Sequence, residues 1–323
     1  MIHRCTDPRE LGASHRGAVV AIGNFDGVHR GHQAVLDAAR SEAARREAPL
    51  VCLTFEPHPR SVFRPDQPVP RLTPAPMKAR LLDALGFDAV VEHRFDRDVA
   101  KLSADAFVAE VLVAQLAVRH VVVGFDFQFG AYRLGTPPFL VEQGAARGFG
   151  VTVVEAFVDE GGAIVSSSRI REDLGRGEVA EAAARLGYRW TIEAPVVHGQ
   201  KIGRTLGYPT ANMAFATDDL LAHGIYAIRF RRADGTLHDG VASYGRRPTF
   251  DNGAALFETY LFDFSGDLYG ETAEVSLFAF LRGEEKFDGV DPLIAQMDRD
   301  AAEARAFLAG AAPLSPLDSA IAF

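Results

Sequence analysis

The chain has 323 residues, 48% hydrophobic and 24% charged, which excludes a disordered polypeptide and leaves room for two folded domains. Its formal charge is −9, with residues 1–187 at net −2 and the remainder at net −7, so neither part has the basic excess that duplex nucleic acid or an anionic membrane favours. No apolar run has the roughly 18 residues of a spanning helix, the start MIHRCTDPRELGASHRG has no signal-like stretch, and Cys5 and Cys52 supply neither a disulfide framework nor a metal site. The expectation is a cytoplasmic protein acting on small molecules, without nucleic acid or membrane partners and with its oligomeric state open.

In the first half, predicted strands Ala18–Gly23, Leu50–Phe55, Asp88–Glu92, His120–Gly124 and Val151–Glu155 alternate with predicted helices. These helices are Gly31–Glu47, Pro76–Leu85, Ala104–Leu116, Pro138–Arg147 and Glu178–Leu186. Such alternation predicts a doubly wound parallel sheet, with ligands at the carboxyl ends of strands near a reversal of strand order.

The first strand runs directly into Asn24-Phe25-Asp26-Gly27-Val28-His29-Arg30-Gly31-His32. Gly27 and Gly31 permit close backbone approach. His29 and His32 share one face where the first helical turn includes them. Free N–H groups and the positive helix end favour phosphate. The segment matches neither G-x-G-x-x-G nor G-x-x-x-x-G-K-[ST], which removes support from dinucleotide oxidoreductases and P-loop enzymes. Two imidazoles at a helix start suit the holding of phosphate oxygens while an α-phosphate is attacked and pyrophosphate leaves. Taken alone, the two histidines are better read as part of an ordinary polar turn, and zinc would need further ligands; the whole nonapeptide after a strand is what points to phosphate chemistry.

Later strand ends carry Phe55-Glu56-Pro57-His58-Pro59 and Gly124-Phe125-Asp126-Phe127-Gln128-Phe129-Gly130. Phenylalanines at spacing two belong to a core or hold a flat ring. Ser166-Ser167-Ser168-Arg169-Ile170-Arg171 opens a helix, as a plain capped start or as a phosphate clamp.

The pattern changes after Tyr188. Predicted strands Trp190–Val197, Ile225–Arg232, Leu237–Ala242, Phe257–Phe264 and Thr272–Phe280, separated by turn signals, suggest a small antiparallel barrel or sandwich. Val290, Leu293, Ile294, Met297, Ala301, Ala304 and Leu308 then recur at helical spacing, closed by Gly310 and Pro313. The expected domains are 1–187 and 188–310, with 311–323 as a loosely held tail.

Gly199, Gly203, Arg204 and Thr205 belong to a glycine-rich turn able to wrap phosphates, one residue short of a P-loop and with arginine in place of its lysine. After Tyr208 and Pro209, Thr210 and Asn212 point to one side of an extended segment. Their oxygens can join nucleotide phosphates around Mg²⁺; a plain turn has the same composition. Glu258, in an aromatic strand, is a solvent-face residue or a general base.

GNFDGVHRGHQ, TFEPHPRSVF, VVVGFDFQFG and SSSRIRE resemble, in that order, the adenylyltransferase half of prokaryotic bifunctional riboflavin kinase/FAD synthetases. GRTLGYPTAN, RRPTF, ETYLFDFSGDLYG and LRGEEKF resemble the kinase half, and the likeness runs roughly over residues 18–308. The resemblance implies a nucleotidyltransferase domain, then a riboflavin kinase β-barrel with a C-terminal helix. It also implies two Mg-ATP-dependent steps, riboflavin to FMN in the C-terminal part and FMN to FAD in the N-terminal part. His29 and His32 would stabilise the reacting phosphates. Gly23, Asn24, Phe25, Asp26, Gly31, His58 and Asp126 would bind nucleotide and flavin, and Ser167 with Arg169 would hold ATP phosphates. Gly199, Gly203, Arg204, Thr205 and Pro209 would bind Mg-ATP, with Thr210 and Asn212 toward the metal and Glu258 as the base. The chain departs from the family pattern at Ala131–Thr136, Ser243 and Tyr260. A kinase with a weak or redirected second activity, or a flavin carrier without turnover, are the alternatives.

Overall fold

The computed structural model describes residues 2–198, 208–213, 220–246 and 255–323. Gly199, Gly203, Arg204 and Thr205 lie outside the described residues. The chain divides into two compact units, Met1–Ser167 and Ser168–Phe323.

In the first unit, His3–Cys5 (β1), Val19–Ile22 (β2), Leu50–Glu56 (β3), Ala89–Arg94 (β4), His120–Gly124 (β5) and Gly150–Val154 (β6) form one sheet. Every pairing is parallel, in the order β1-β4-β3-β2-β5-β6. Continuous apolar runs such as VVAI in β2 and LVCLTF in β3 are buried throughout, as strands covered on both faces require. From β2 the chain steps outward through β3 to β4, then returns to β5 on the other side of β2. The reversal of strand order therefore lies between β2 and β5, the position where such sheets hold ligands. The edge strand β1 was not foreseen; its length of 3 residues is too short to show a period.

The helices of this unit are Arg30–Arg46 (α1), Pro59–Phe63 (α2), Ala75–Ala84 (α3), Ala104–Ala106 (α4) and Pro137–Arg147 (α5). α4 continues as a π-helical segment, Phe107–Gln115, where the periodicity predicts an ordinary helix. Phe107, Val108, Val111, Leu112 and Leu140 pack against Val20, Ile22, Val51, Leu53, Val91 and Val121 on one sheet face. α1 lies against β2 and β5, and α3 against β4.

Ser167–Gly175 (α6), whose first residue closes the first unit, and Val179–Leu186 (α7) follow. The composition shift near residues 186–190 falls within the second unit, because α7 packs on the barrel and the carbonyl of Leu174 accepts from the backbone N–H of Ala222 at 2.9 Å. Thr191–Val197 (β7), Thr210–Met213 (β8), Gly224–Arg231 (β9), Leu237–Arg246 (β10), Ala255–Leu261 (β11) and Thr272–Arg282 (β12) follow. They close an antiparallel barrel, β10-β11-β8-β7-β12-β9, so the choice left between barrel and sandwich resolves to the barrel. Burial alternates along β10 and β11: Ala242, Tyr244, Phe257 and Thr259 are buried, while Ser243, Glu258 and Tyr260 are partly exposed. The even-spaced set fills the interior and the other set decorates the outer face. The C-terminal helix Val290–Ala309 covers part of that face, bringing Ala304 and Leu308 against Ala227, Val241, Tyr260 and Ala279.

The loosely held tail expected after Pro313 is a correction. Residues Pro316–Ala322 form a helix in which Leu317, Asp318, Ile321 and Ala322 are buried. Asp318 accepts from the backbone N–H groups of Arg189 (2.7 Å) and Leu314 (2.8 Å) and pairs with the Arg189 guanidinium. That guanidinium lies 4.2 Å from the Phe278 ring centre and 5.2 Å from that of Phe323. A helix of 7 residues has too few turns to announce itself by period; a buried, hydrogen-bonded ion pair and apolar docking hold it.

Candidate functional site

The first unit gathers the loop after β2 around the start of α1. His29 caps that helix: its Nδ1 accepts from the backbone N–H of His32 at 3.2 Å. In a neutral His29 the ring proton therefore sits on Nε2. The His29 and His32 rings stack with centroids 3.6 Å apart, and Phe25 meets His32 edge-on at 5.4 Å. Gly31 lets the His29 ring lie close, since a Cβ there would stand 3.2 Å from the ring and push it by a few tenths of an ångström. Burial, reinforced by His29 and by the cation of Lys78, pushes the His32 pKa well below the usual histidine value. His32 is thus a neutral imidazole near pH 7, with an enclosed Nδ1 that has no hydrogen-bond partner among the described residues.

The loop is conformationally strained. Phe25 and Val28 hold φ at 46° and 40°, and Gly27 at 93°. Gly23 is covered by the Phe25 ring, whose nearest atom would lie 2.9 Å from an added Cβ. Asp26 does not face outward: it is 2% exposed, and its carboxylate accepts from the backbone N–H groups of Leu72 (3.3 Å) and Thr73 (3.1 Å) and from Arg71 Nε (3.3 Å). Thr73 Oγ1 accepts from the backbone N–H of Gly27 at 2.8 Å. The Asn24 side chain lies in an exposed residue, but its carbonyl accepts from Thr54 Oγ1 and Lys78 Nζ, each at 3.0 Å. Ser167 Oγ donates to the Asp26 carbonyl at 2.7 Å.

Beneath the loop is a group of residues that sequence reasoning missed. Lys78 is completely buried and also donates to Glu56 at 3.0 Å, while Arg71 grips both oxygens of Glu56 at 2.7 Å. Burial alone would raise the Glu56 pKa; Arg71 and Lys78 outweigh it and hold the carboxyl below its ordinary range. Burial, with the Arg71 charge, lowers the Lys78 pKa against the opposing pull of Glu56 and Asp26. A lysine inside an amphipathic stretch and a carboxylate at a strand end give no local signal of being partners.

The remaining residues expected for adenylyl transfer are more exposed. His58 caps α2 by accepting from the backbone N–H of Arg60 at 3.2 Å, and Asp126 sits in the exposed turn after β5. Arg169 is exposed on α6.

In the second unit, strand register does the assembling. Glu258 on β11 lies directly opposite Asn212 on β8 and opposite Ser243 on β10. Tyr260 lies opposite Thr210. Directly opposed side chains share one sheet face with Cβ atoms about 4.5–5.5 Å apart. Thr210, Asn212, Glu258, Tyr260 and Ser243 thus form one polar patch on the outer face of the barrel. Asn212 is 7% exposed; Pro209, just before the strand, is exposed. Tyr208 packs on Tyr260 with ring centres 4.8 Å apart and donates to Asp298 of the C-terminal helix; burial and that carboxylate push its pKa up to about 12. No three His, Cys, Asp or Glu side chains converge on a metal position among the described residues.

The family model described as FAD synthetase matches residues 11–169, and that described as riboflavin kinase matches residues 186–308. The chain is 39% identical over 295 residues to the bifunctional riboflavin kinase/FMN adenylyltransferase of Escherichia coli K12, covering 91% of this chain and 94% of that protein. The protein of the same name from Listeria monocytogenes is 42% identical over 297 residues, covering 90% and 92%. Among solved structures, one described as a macrolide-efflux protein from Streptococcus pneumoniae matches with a TM-score of 0.82 at 32% identity, covering 94% of this chain and 98% of that one. Among the described residues of this chain, no helix is long and apolar enough to cross a membrane.

Proposed function

This chain belongs to the bifunctional riboflavin kinase/FMN adenylyltransferase family, and from that premise we propose which of its residues carry the two reactions. It is an enzyme of flavin cofactor synthesis: the barrel unit phosphorylates riboflavin with ATP, and the parallel-sheet unit joins AMP to the resulting FMN.

For adenylyl transfer, an FMN phosphate oxygen attacks the α-phosphorus of ATP and the bond to the β-phosphate oxygen breaks, releasing pyrophosphate. The stacked pair His29 and His32 at the helix start is the observation that carries this assignment. The His29 tautomer directs an Nε2–H donor away from the backbone, and donors of this kind stabilise charge developing on phosphate oxygens. Gly23, Asn24, Phe25 and Gly31 shape the adjoining backbone. Asp26 acts from behind, as an anchor of the turn. His58 and Asp126 are proposed to contact nucleotide or flavin at the strand ends, and Ser167 with Arg169 to hold ATP phosphates.

For phosphorylation, the riboflavin 5′-hydroxyl oxygen attacks the γ-phosphorus while Glu258 accepts the hydroxyl proton, and ADP leaves. The registered set of Asn212, Glu258 and Ser243 supports this role. Gly199, Gly203, Arg204, Thr205 and Pro209 are proposed to hold ATP. Mg²⁺, a hard cation that suits oxygen donors, would be held by Thr210 and Asn212 together with ATP phosphates, and supplies charge neutralisation there. The site is proposed to act in the cytoplasm on small molecules alone.

A second reading, a weakened adenylyl transfer, rests on the 131–136 stretch: Tyr132 and Arg133 hold φ at 57° and 59°, and Tyr132 is 93% exposed. Incubation with riboflavin and Mg-ATP should give FMN and then FAD, and FMN with Mg-ATP should give FAD and pyrophosphate. FMN that accumulates without FAD would favour the second reading; folded protein yielding neither product would overturn both.

A further inference from the structure

Lys78 makes hydrogen bonds that the proposed adenylyl-transfer chemistry does not yet use. Desolvating an ammonium ion is unfavourable unless it is paired and all its protons are bonded. At Lys78 both conditions hold, with Nζ donating to the Asn24 carbonyl, Thr54 Oγ1 and Glu56 Oε1, each at 3.0 Å. Two of the acceptors, Thr54 and Glu56, lie on β3, a strand buried in the sheet. The third is the backbone of the loop that carries the histidines. Arg71 extends the arrangement from Glu56 to Asp26, so two cations and two carboxylates balance within the protein.

The loop needs such support. Phe25 and Val28 occupy left-handed backbone, which is strained for a non-glycine residue. Three polar groups of the turn are tied down: the Asn24 carbonyl by Lys78 and Thr54, the Asp26 carboxylate by Arg71, Leu72 and Thr73, and the Gly27 N–H by Thr73. The strained turn ends at His29, the cap of α1.

We propose that Lys78 is a positioning residue for adenylyl transfer: its ammonium ties the Asn24 carbonyl to β3 and so fixes where His29 and His32 present their donors. This rests on the adenylyl-transfer reading above and names a determinant of its rate. Lys78 touches neither nucleotide nor flavin in this account; it acts through the backbone of the turn. The companion Glu56 balances its charge.

The test uses the full chain with FMN and Mg-ATP, and Lys78→Met is compared with Lys78→Met/Glu56→Gln. The single variant leaves Glu56 short of a cation and is expected to melt lower as well as react slower. The double variant removes that imbalance and regains part of the melting temperature, but it does not restore the bond to the Asn24 carbonyl. Both are expected to lose about 100-fold in kcat for FAD formation, the scale of an ångström-level misplacement, with KM for FMN within about threefold of wild type. Riboflavin phosphorylation by the same samples stays at the wild-type rate. Recovery of the FAD-forming rate together with the melting temperature in the double variant would reduce Lys78 to a structural ion and overturn the proposal. So would a wild-type rate in the single variant. Failure of the wild-type protein itself to make FAD would instead overturn the adenylyl-transfer reading.

Discussion

The two sites obtain their geometry by opposite means. In the first unit His29 and His32, the proposed phosphate-holding pair, sit where a strained loop enters α1, and the fold surrounds that loop with buried ions and hydrogen bonds from residues 54–78. In the second unit Asn212, Glu258 and Ser243 sit on strands, and the register of the antiparallel ladder sets their spacing. A loop lets backbone N–H groups and a helix end approach a phosphate, at the cost of an internal scaffold to fix it. A strand face needs no such scaffold but offers side chains only at the intervals of the pleat. Damage to the loop site should therefore come from residues remote from the chemistry, whereas damage to the barrel site should come mainly from the facing side chains themselves.

The sharpest test of this contrast is Glu258→Gln, an isosteric change that removes the proposed base and leaves the ladder untouched. Loss of a general base is worth about 100- to 10,000-fold, so riboflavin phosphorylation should fall within that range while FMN-to-FAD conversion holds. A variant that phosphorylates riboflavin at the normal rate would remove Glu258 from its role. The reciprocal variant, His29→Ala with His32→Ala, should lower FAD formation by about 100- to 1,000-fold, as for lost oxyanion donors, with riboflavin phosphorylation preserved. Product chromatography on each substrate separately reads both.

The barrel unit is expected to be sensitive in stability where it is robust in geometry. Asp318→Ala strands the Arg189 cation beneath Phe278 and Phe323, and breaking a buried pair in this way costs about 3–5 kcal/mol. Chemical denaturation should show that loss, and a change below about 1 kcal/mol would show the pair to be hydrated.

The smallest effect concerns pH and the loop. The His32 pKa lies below its ordinary value of 6.5 because of burial, His29 and Lys78. As pH falls below 6.5 the unfolded chain gains this proton and the folded chain does not. The associated stability is therefore present above that pH and is lost progressively below it, down to the folded-state pKa. Burial lowers the His93 and His120 pKa values too, so several histidines share the effect. Replacing His32 with Asn should flatten, without abolishing, the fall in melting temperature between about pH 6.5 and pH 5. An unchanged slope would show that His32 titrates normally.

Much of this was legible from the sequence. The alternation of β-branched and amphipathic runs gave a parallel sheet, and the nonapeptide 24–32 marked the loop at its center. Thr210, Asn212 and Glu258 were legible as candidate residues of the second site, though not as neighbours. Arg71, Lys78 and Glu56 were missed because each looks ordinary in its own segment: an arginine before a turn, a lysine in a helix, a glutamate at a strand end. Asp26 was expected to line the crevice and instead turns inward, because Thr73 and Arg71 supply partners from 45 or more residues away.

What the sequence by itself determined were the local features: periodicity, caps, turns and the order of motifs, all set by interactions between near neighbours along the chain. The tertiary structure alone decided which charges face one another, that Glu258 stands between Asn212 and Ser243, and that residues 316–322 dock as a helix. These depend on contacts between residues far apart in the chain, where burial strengthens electrostatic pairing and strand register selects partners, and neither leaves a mark on any single segment.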